Sequence, residues 1–296
     1  MQKLRLALVL VFTFGLIFGL VSTPVRAADD TLNIGAIAWE EALAIADLIK
    51  YVTRERLNYN VEVINPSAGP AYQAIVDKEL DLMVEVWQPR TDKTYLQKYS
   101  ADALDFGPMY ENARLTWAVP AYVPKDKLNS ISDLAKPEVK KKLDKEIIGI
   151  DPGAGLMRRS EDMLEQYDAL SDYTLVEGSG AAMQASLKDA IMNDEWIAVT
   201  LWQPHSAYGQ FELRNLKEPK HLLGLEERVH LWGRIDFMEV FPDKVSQFLS
   251  RFYLPMEMVN NLSAMYADMG EGTGARWAKN HPQIIDYFVN GVEAYK

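Results

Sequence analysis

The sequence predicts an α/β protein built as two lobes, and two observations carry the prediction. Short apolar runs with strand character alternate with longer segments of helical periodicity, which implies a mostly parallel sheet with helices on its faces. One unit of that alternation also appears twice. Gly69-Pro-Ala-Tyr-Gln-Ala74 opens a helix whose following strand ends in Trp87-Gln88-Pro89, and Gly180-Ala-Ala-Met-Gln-Ala185 opens a helix whose following strand ends in Trp202-Gln203-Pro204. The Gly-to-Trp spacing is 18 residues in the first unit and 22 in the second, a difference one loop absorbs. Two matched motifs in the same order point to a shared design.

The elements follow in order. Leu32 to Ala38 is a continuous apolar run and reads as a buried strand, with a helical pattern from Glu40 to about Leu57. Val61 to Ile64 is a short strand, Pro66 and Gly69-Pro70 punctuate a turn into a helix, and Leu82 to Trp87 is a third strand. Leu115 to Val123 reads as a connecting strand, Ile147 to Ile150 starts a new α/β unit, and from Pro242 the pattern is helical almost to the end. One lobe is expected from about residue 28 to 118 plus 230 to 296, the other from 119 to 229. Leu115–Val123 and Val229–Arg234 are the expected crossings.

Residues 1–27 stand apart. A short basic start with Lys3 and Arg5, an apolar run from Leu6 to Val21 and a Val25-Arg26-Ala27 ending are the parts of a secretory signal peptide, with cleavage expected after Ala27. There is no cysteine, which excludes disulfides, thiolate metal sites, a cysteine nucleophile and a lipid-anchoring cysteine. A free protein in a periplasm-like compartment is expected. Losing residues 1–27 removes three positive charges and takes the formal charge from −11 to −14. That acidity argues against nucleic acid and anionic membrane as partners.

Three tryptophans occupy equivalent places. Trp39 directly follows the first strand, and Trp87 and Trp202 end the strands of the repeated units. Ligands of open α/β sheets bind outside the carboxyl ends of strands, so facing lobes would bring these rings to one cleft. A box of aromatic faces suits a quaternary ammonium, which offers no hydrogen-bond donor but carries diffuse positive charge. Each desolvated cation–π contact contributes about 2 kcal/mol at best, so three supply much of the roughly 8 kcal/mol of a micromolar affinity. The other tryptophans, Trp117, Trp196, Trp232 and Trp277, are assigned to core packing. Asp151-Pro-Gly-Ala-Gly155 lies between a strand and a helix expected to begin near Gly155, where free backbone N–H groups can receive a carboxylate. No Walker-type lysine follows, which excludes a phosphate loop. The four histidines, at 205, 221, 230 and 281, show no metal spacing, and there is no Gly-x-Ser-x-Gly elbow. Glu40, Glu41, Glu85 and Asp92 suggest no acid–base pair. Binding without turnover is the expectation, with neither cofactor nor metal; an enzyme acting on a small polar substrate is the rival class.

These segments together resemble the glycine-betaine and choline type substrate-binding proteins of ABC transporters. The matching stretches are Ile34 to Glu41, Ala68 to Asp92, Ile147 to Met157, Ser179 to Ala185 and Val199 to Gly224. The resemblance implies a type II periplasmic-binding-protein fold, two α/β lobes joined by a hinge of crossing strands and closing on ligand. It implies that Trp39, Trp87 and Trp202 box the ammonium and that backbone amides of Gly155 and Leu156 hold the carboxylate of betaine. It further implies a monomer that delivers its ligand to the membrane subunit of an ABC importer. Tyr72 and His205, inside the matching stretches, complete the candidate site. One position departs from the pattern. Relatives that bind glycine betaine commonly carry a carboxylate-binding histidine five residues after the tryptophan matching Trp87, and here Asp92 stands there, with Arg90 nearby as a substitute donor. Choline-type relatives place an acid two residues beyond the first tryptophan, where this chain has Glu41. Glycine betaine is the favoured ligand because the carboxylate loop is intact; choline or another carboxylate-free amine is the alternative.

Overall fold

The computed structural model describes residues 31–291, so the expected signal peptide lies outside the described residues. The first lobe starts as β1 (Thr31–Gly35), α1 (Glu40–Leu57), β2 (Asn60–Ile64), α2 (Ala68–Val76), β3 (Leu82–Gln88) and α3 (Lys93–Tyr99). Leu32 and Ile34 of β1 are fully buried. Ile45, Leu48, Ile49 and Val52 repeat along α1 at three- and four-residue intervals and bury one face. The helix stops at Asn58, which takes the left-handed conformation (φ 50°) of a helix C-terminus.

The chain then enters β4 (Ala103–Pro120), an 18-residue strand. The second lobe follows with α4 (Pro137–Lys142), β5 (Glu146–Ile148), α5 (Gly155–Gln166), β6 (Thr174–Val176), α6 (Gly180–Met192), β7 (Val199–Gln203), α7 (Ala207–Gln210) and β8 (Leu213–Asn215). The return strand is β9 (Glu227–Arg234), and the described residues continue through α8 (Phe237–Val240), α9 (Asp243–Arg251), α10 (Met256–Met269), α11 (Thr273–Asn280) and α12 (Pro282–Asn290).

All the strands join one curled sheet in the order β2-β1-β3-β9-β4-β7-β5-β6, with β8 paired to β4. β1 is parallel to β2 and β3, and β5 is parallel to β6 and β7. The two outer trios therefore share one topology, and the repeated motifs fall at the same places in each. The antiparallel strands β4 and β9 join them. β4 pairs with β9 as far as Ala113 and with β7 from Arg114 onward, so a single strand serves both lobes. Asn112, two residues before Arg114, has φ 66°. α1 packs against the C-terminal α10 and α11. Among the described residues no helix is long and apolar enough to cross a membrane.

Candidate functional site

The carboxyl ends of the parallel strands from both lobes meet in one cleft. Trp39 caps the start of α1 just beyond β1, Trp87 lies near the end of β3, and Trp202 near the end of β7. Both Trp-Gln-Pro segments carry a cis Gln–Pro bond. The three rings, with Asp92, Gly155 and Leu156 among their neighbours, line one cleft.

Each indole N–H is tied to a carboxylate. Trp39 Nε1 donates to Asp151 at 3.3 Å, Trp87 Nε1 to Glu85 at 3.1 Å, and Trp202 Nε1 to Glu41 at 2.5 Å. Two of these bonds, those of Trp39 and Trp202, run from one lobe to the other. The pairing has two consequences. It satisfies the polar edge of each ring inside the protein, leaving ring faces for a ligand. It also places an electron-rich carboxyl oxygen at the positive edge of each ring, which strengthens the attraction of a cation to the face. Trp39 and Trp202 lie 6.0 Å apart between ring centroids at 56°, two walls at an angle.

The acids themselves are buried. Burial first, and then the charge of Glu85, holds the Glu41 carboxyl well above the usual range, and Glu41 Oε2 has no hydrogen-bond partner among the described residues. Burial pushes Glu85 up to about 7, against the stabilising bonds from Tyr110 and Trp87. Tyr110 of β4 donates to both Glu85 oxygens, at 3.0 and 2.7 Å. Glu85 has φ 72°, inside the irregularity where β3 shifts register against β9 between Met83 and Val86. A side-chain-bearing residue in that conformation is strained. The irregularity lets the acid sit behind Trp87.

The other end of the cleft is backbone. α5 starts at Gly155 with no acidic residue in its first turn. The amides of Gly155 and Leu156 have no acceptor among the described residues, so two donors at the positive end of a helix face the space. Gly155 is also where the lobes touch. A β-carbon there would lie 2.5 Å from the Thr91 carbonyl oxygen of the opposite lobe. Thr91 is fixed in turn, its hydroxyl donating to Glu227 at 2.6 Å and its amide to the same carboxylate at 3.1 Å.

The remaining candidates take different places. Asp92 lines the cleft and is 6% exposed. Tyr72 is buried behind it and donates to Asp92 Oδ2 at 2.7 Å. Glu41 lies behind Trp202 as that ring's anchor. His205 packs edge-on against Trp202, 4.4 Å between centroids; its Nδ1 accepts from the Ala207 amide, and burial lowers it to about 4. Arg90 is exposed and lines a separate groove with Arg159 and His221. The guanidinium that approaches Asp92 belongs instead to Arg158 of α5, 3.8 Å from Oδ1.

Sequence reasoning missed Glu85, Asp151 and Thr91 as site residues. Glu85 had a visible signal, an acid two residues before Trp87 in an otherwise apolar strand, where alternate residues share a face. Asp151 stands in the Asp-Pro-Gly-Ala-Gly loop, where no local pattern marks it as the partner of Trp39.

Comparison with known proteins decides the class. Residues 30–281 match the family described as the substrate binding domain of ABC-type glycine betaine transport system. The chain belongs to that family. It is 30% identical over 165 residues to the glycine betaine/carnitine transport binding protein GbuC of Listeria monocytogenes, and spans about half the length of that curated relative, 54% of each chain. Lactococcal OpuAC in its closed-liganded conformation with glycine betaine superposes with a TM-score of 0.80 at 27% identity, over 88% of this chain and 100% of that one. The glycine/betaine/L-proline-binding protein ProX of Borrelia burgdorferi gives 0.81 at 29% identity, over 90% and 98%. The type II binding-protein fold expected from the sequence is thus the fold observed. The family is one of transport binding proteins, not enzymes.

Proposed function

We propose that this chain is an extracytoplasmic capture protein for a small quaternary-ammonium solute, glycine betaine being the favoured ligand. The observation that carries the reading is the set of three cleft tryptophans, each with its N–H bound to a carboxylate. That arrangement offers negative ring faces and no hydrogen-bond demand to the ammonium head. The unpaired amides of Gly155 and Leu156 favour a carboxylate at the other end. Choline is the second reading, and Asp92 in the cleft wall supports it, since an ionised acid there favours a ligand that is cationic overall.

In this reading the lobes, residues 28–118 with 230–296 and residues 119–229, rotate about β4 and β9. Trp39–Asp151, Trp202–Glu41 and Gly155–Thr91 then form together when the cleft shuts. The protein works as a periplasmic monomer and passes its ligand to the membrane subunit of an ABC importer. Tryptophan fluorescence of the mature chain, titrated with betaine, choline and carnitine, tests the proposal. Saturable changes are expected with quaternary ammonium compounds and much weaker ones with amino acids or sugars; a response to sugars alone would overturn it.

A further inference from the structure

Asp92 is built into the cleft in a way that separates its two oxygens. Oδ2 accepts the Tyr72 hydroxyl at 2.7 Å and the Trp87 amide at 2.9 Å. Oδ1 accepts no hydrogen bond among the described residues and has only the Arg158 guanidinium, 3.8 Å away. Arg158 is shared with other partners, donating to the Gly153 carbonyl at 2.7 Å and lying 4.5 Å over the Tyr95 ring. With both donors on Oδ2, a proton carried by this group belongs on Oδ1. Asp92 lines the same cleft as Gly155 and Leu156, whose amides are unpaired.

We propose that Asp92 is a specificity-determining residue that acts through its protonation. As a neutral acid, its Oδ1–H donates to a ligand carboxylate held at the start of α5. As a carboxylate, it turns that ligand away in favour of one that is cationic overall. The inference rests on the reading of the cleft as a quaternary-ammonium site.

The groups around Asp92 put the change within reach. Burial pushes it up to about 6; the Tyr72 and Trp87 bonds and Arg158 of α5 oppose this, and Glu227 of β9 adds to it. Glu85 of β3 also faces this region, raised to about 7. His205, lowered to about 4, is neutral across the window. Glu85 and Asp92 are distinguishable by sign. Glu85 lies behind the ring that would meet the ammonium, so its ionisation favours betaine and choline alike. Ionisation of Asp92 opposes betaine and favours choline. A ligand carboxylate favours the protonated acid, so betaine binding takes up a proton. Its Kd then rises by up to about tenfold per pH unit above the free pKa, until the ionised form itself binds.

The test is calorimetric titration of betaine and of choline at about pH 5.5 and about pH 8, in two buffers of different protonation enthalpy, on wild type and Asp92→Asn. The amide keeps a donor and an acceptor but does not titrate. In the wild type the ratio of betaine to choline Kd should rise about tenfold or more between the two pH values, with proton uptake on betaine binding. In Asp92→Asn the ratio should stay level. A level ratio in the wild type, the same slope in the variant, or binding of choline with no betaine binding at either pH overturns the inference while leaving the quaternary-ammonium reading intact. Binding of neither ligand overturns both. If the variant does not fold, the wild-type difference in proton uptake between betaine and choline decides alone, because Glu85 contributes equally to both, and equal proton counts overturn the role of Asp92.

Discussion

The two lobes use one strand topology to supply opposite chemistry. In the first, β1 leads into Trp39 and a helix whose opening turn carries Glu40 and Glu41. In the second, β5 leads into Asp151-Pro-Gly-Ala-Gly155 and a helix with no acid in its opening turn. α1 therefore meets its own helix dipole with side chains, and Glu41 has a second task as the acceptor for Trp202. α5 leaves its first amides for an anion from outside. The equivalent strands β3 and β7 contribute the same residue, a tryptophan, from opposite sides. In the proposed reading, what is duplicated serves the ammonium, and what differs gives the ligand a direction.

The largest expected effect separates support from site. Trp277 of α11, assigned to core packing from the sequence, is fully buried. Trp277→Ala should lower unfolding stability by about 3–5 kcal/mol and leave ligand affinity unchanged in protein that remains folded. Denaturant melts and titrations on the same preparation check this, and a large affinity loss would place α11 in the binding mechanism.

Within the cleft the duplicated positions should respond alike. Trp39→Ala, Trp87→Ala and Trp202→Ala should each weaken binding by roughly 1–2 kcal/mol or more, measured by calorimetry. If Trp87→Ala were severe and Trp202→Ala silent, the two lobes would not share the ammonium. Gly155→Ala probes the differing position. Its new β-carbon would meet Thr91, so affinity for betaine and choline should fall together, by about 1–3 kcal/mol as for other overpacked contacts. Tight binding with a normally closed cleft would show that the lobes meet elsewhere.

The smallest effect concerns the acid behind Trp87. Glu85 has a folded-state pKa of about 7, above its ordinary 4.5. Its stabilising share is therefore complete below about 4.5 and lost as pH rises through 7. His205, lowered to about 4, acts oppositely between 4 and 6.5, so Glu85 is best isolated above about 6.5. Glu85→Gln should gain thermal stability relative to wild type between pH 6.5 and 8, by no more than about 1.4 kcal/mol per pH unit. An unchanged difference across that range would contradict the raised pKa.

The lobes and the shared placement of three tryptophans in one cleft were legible because each is a local pattern. A continuous apolar strand, a helix opening and a Trp-Gln-Pro ending each span a few residues, and repetition doubled the signal. The anchors were not legible for the converse reason. Asp151 is 112 residues from Trp39, and Glu41 is 161 from Trp202, so only the closed cleft pairs them. Adjacency also misled: Arg90, two residues from Asp92, points into another groove, while Arg158 arrives from the opposite lobe. Asp92 itself was visible as a departure from the family pattern, but the separation of its two oxygens by Tyr72 and the Trp87 amide emerges only in three dimensions.

In the proposed function, ring faces backed by carboxyl groups select positive charge rather than bulk. The direct measurement is calorimetric titration of the mature chain with choline and with its carbon isostere, in which a tert-butyl group replaces trimethylammonium. Shape and apolar area are then matched and only the charge differs. With up to about 2 kcal/mol for each desolvated cation–π contact, the cation should bind at least about tenfold more tightly. Equal affinities would contradict the account.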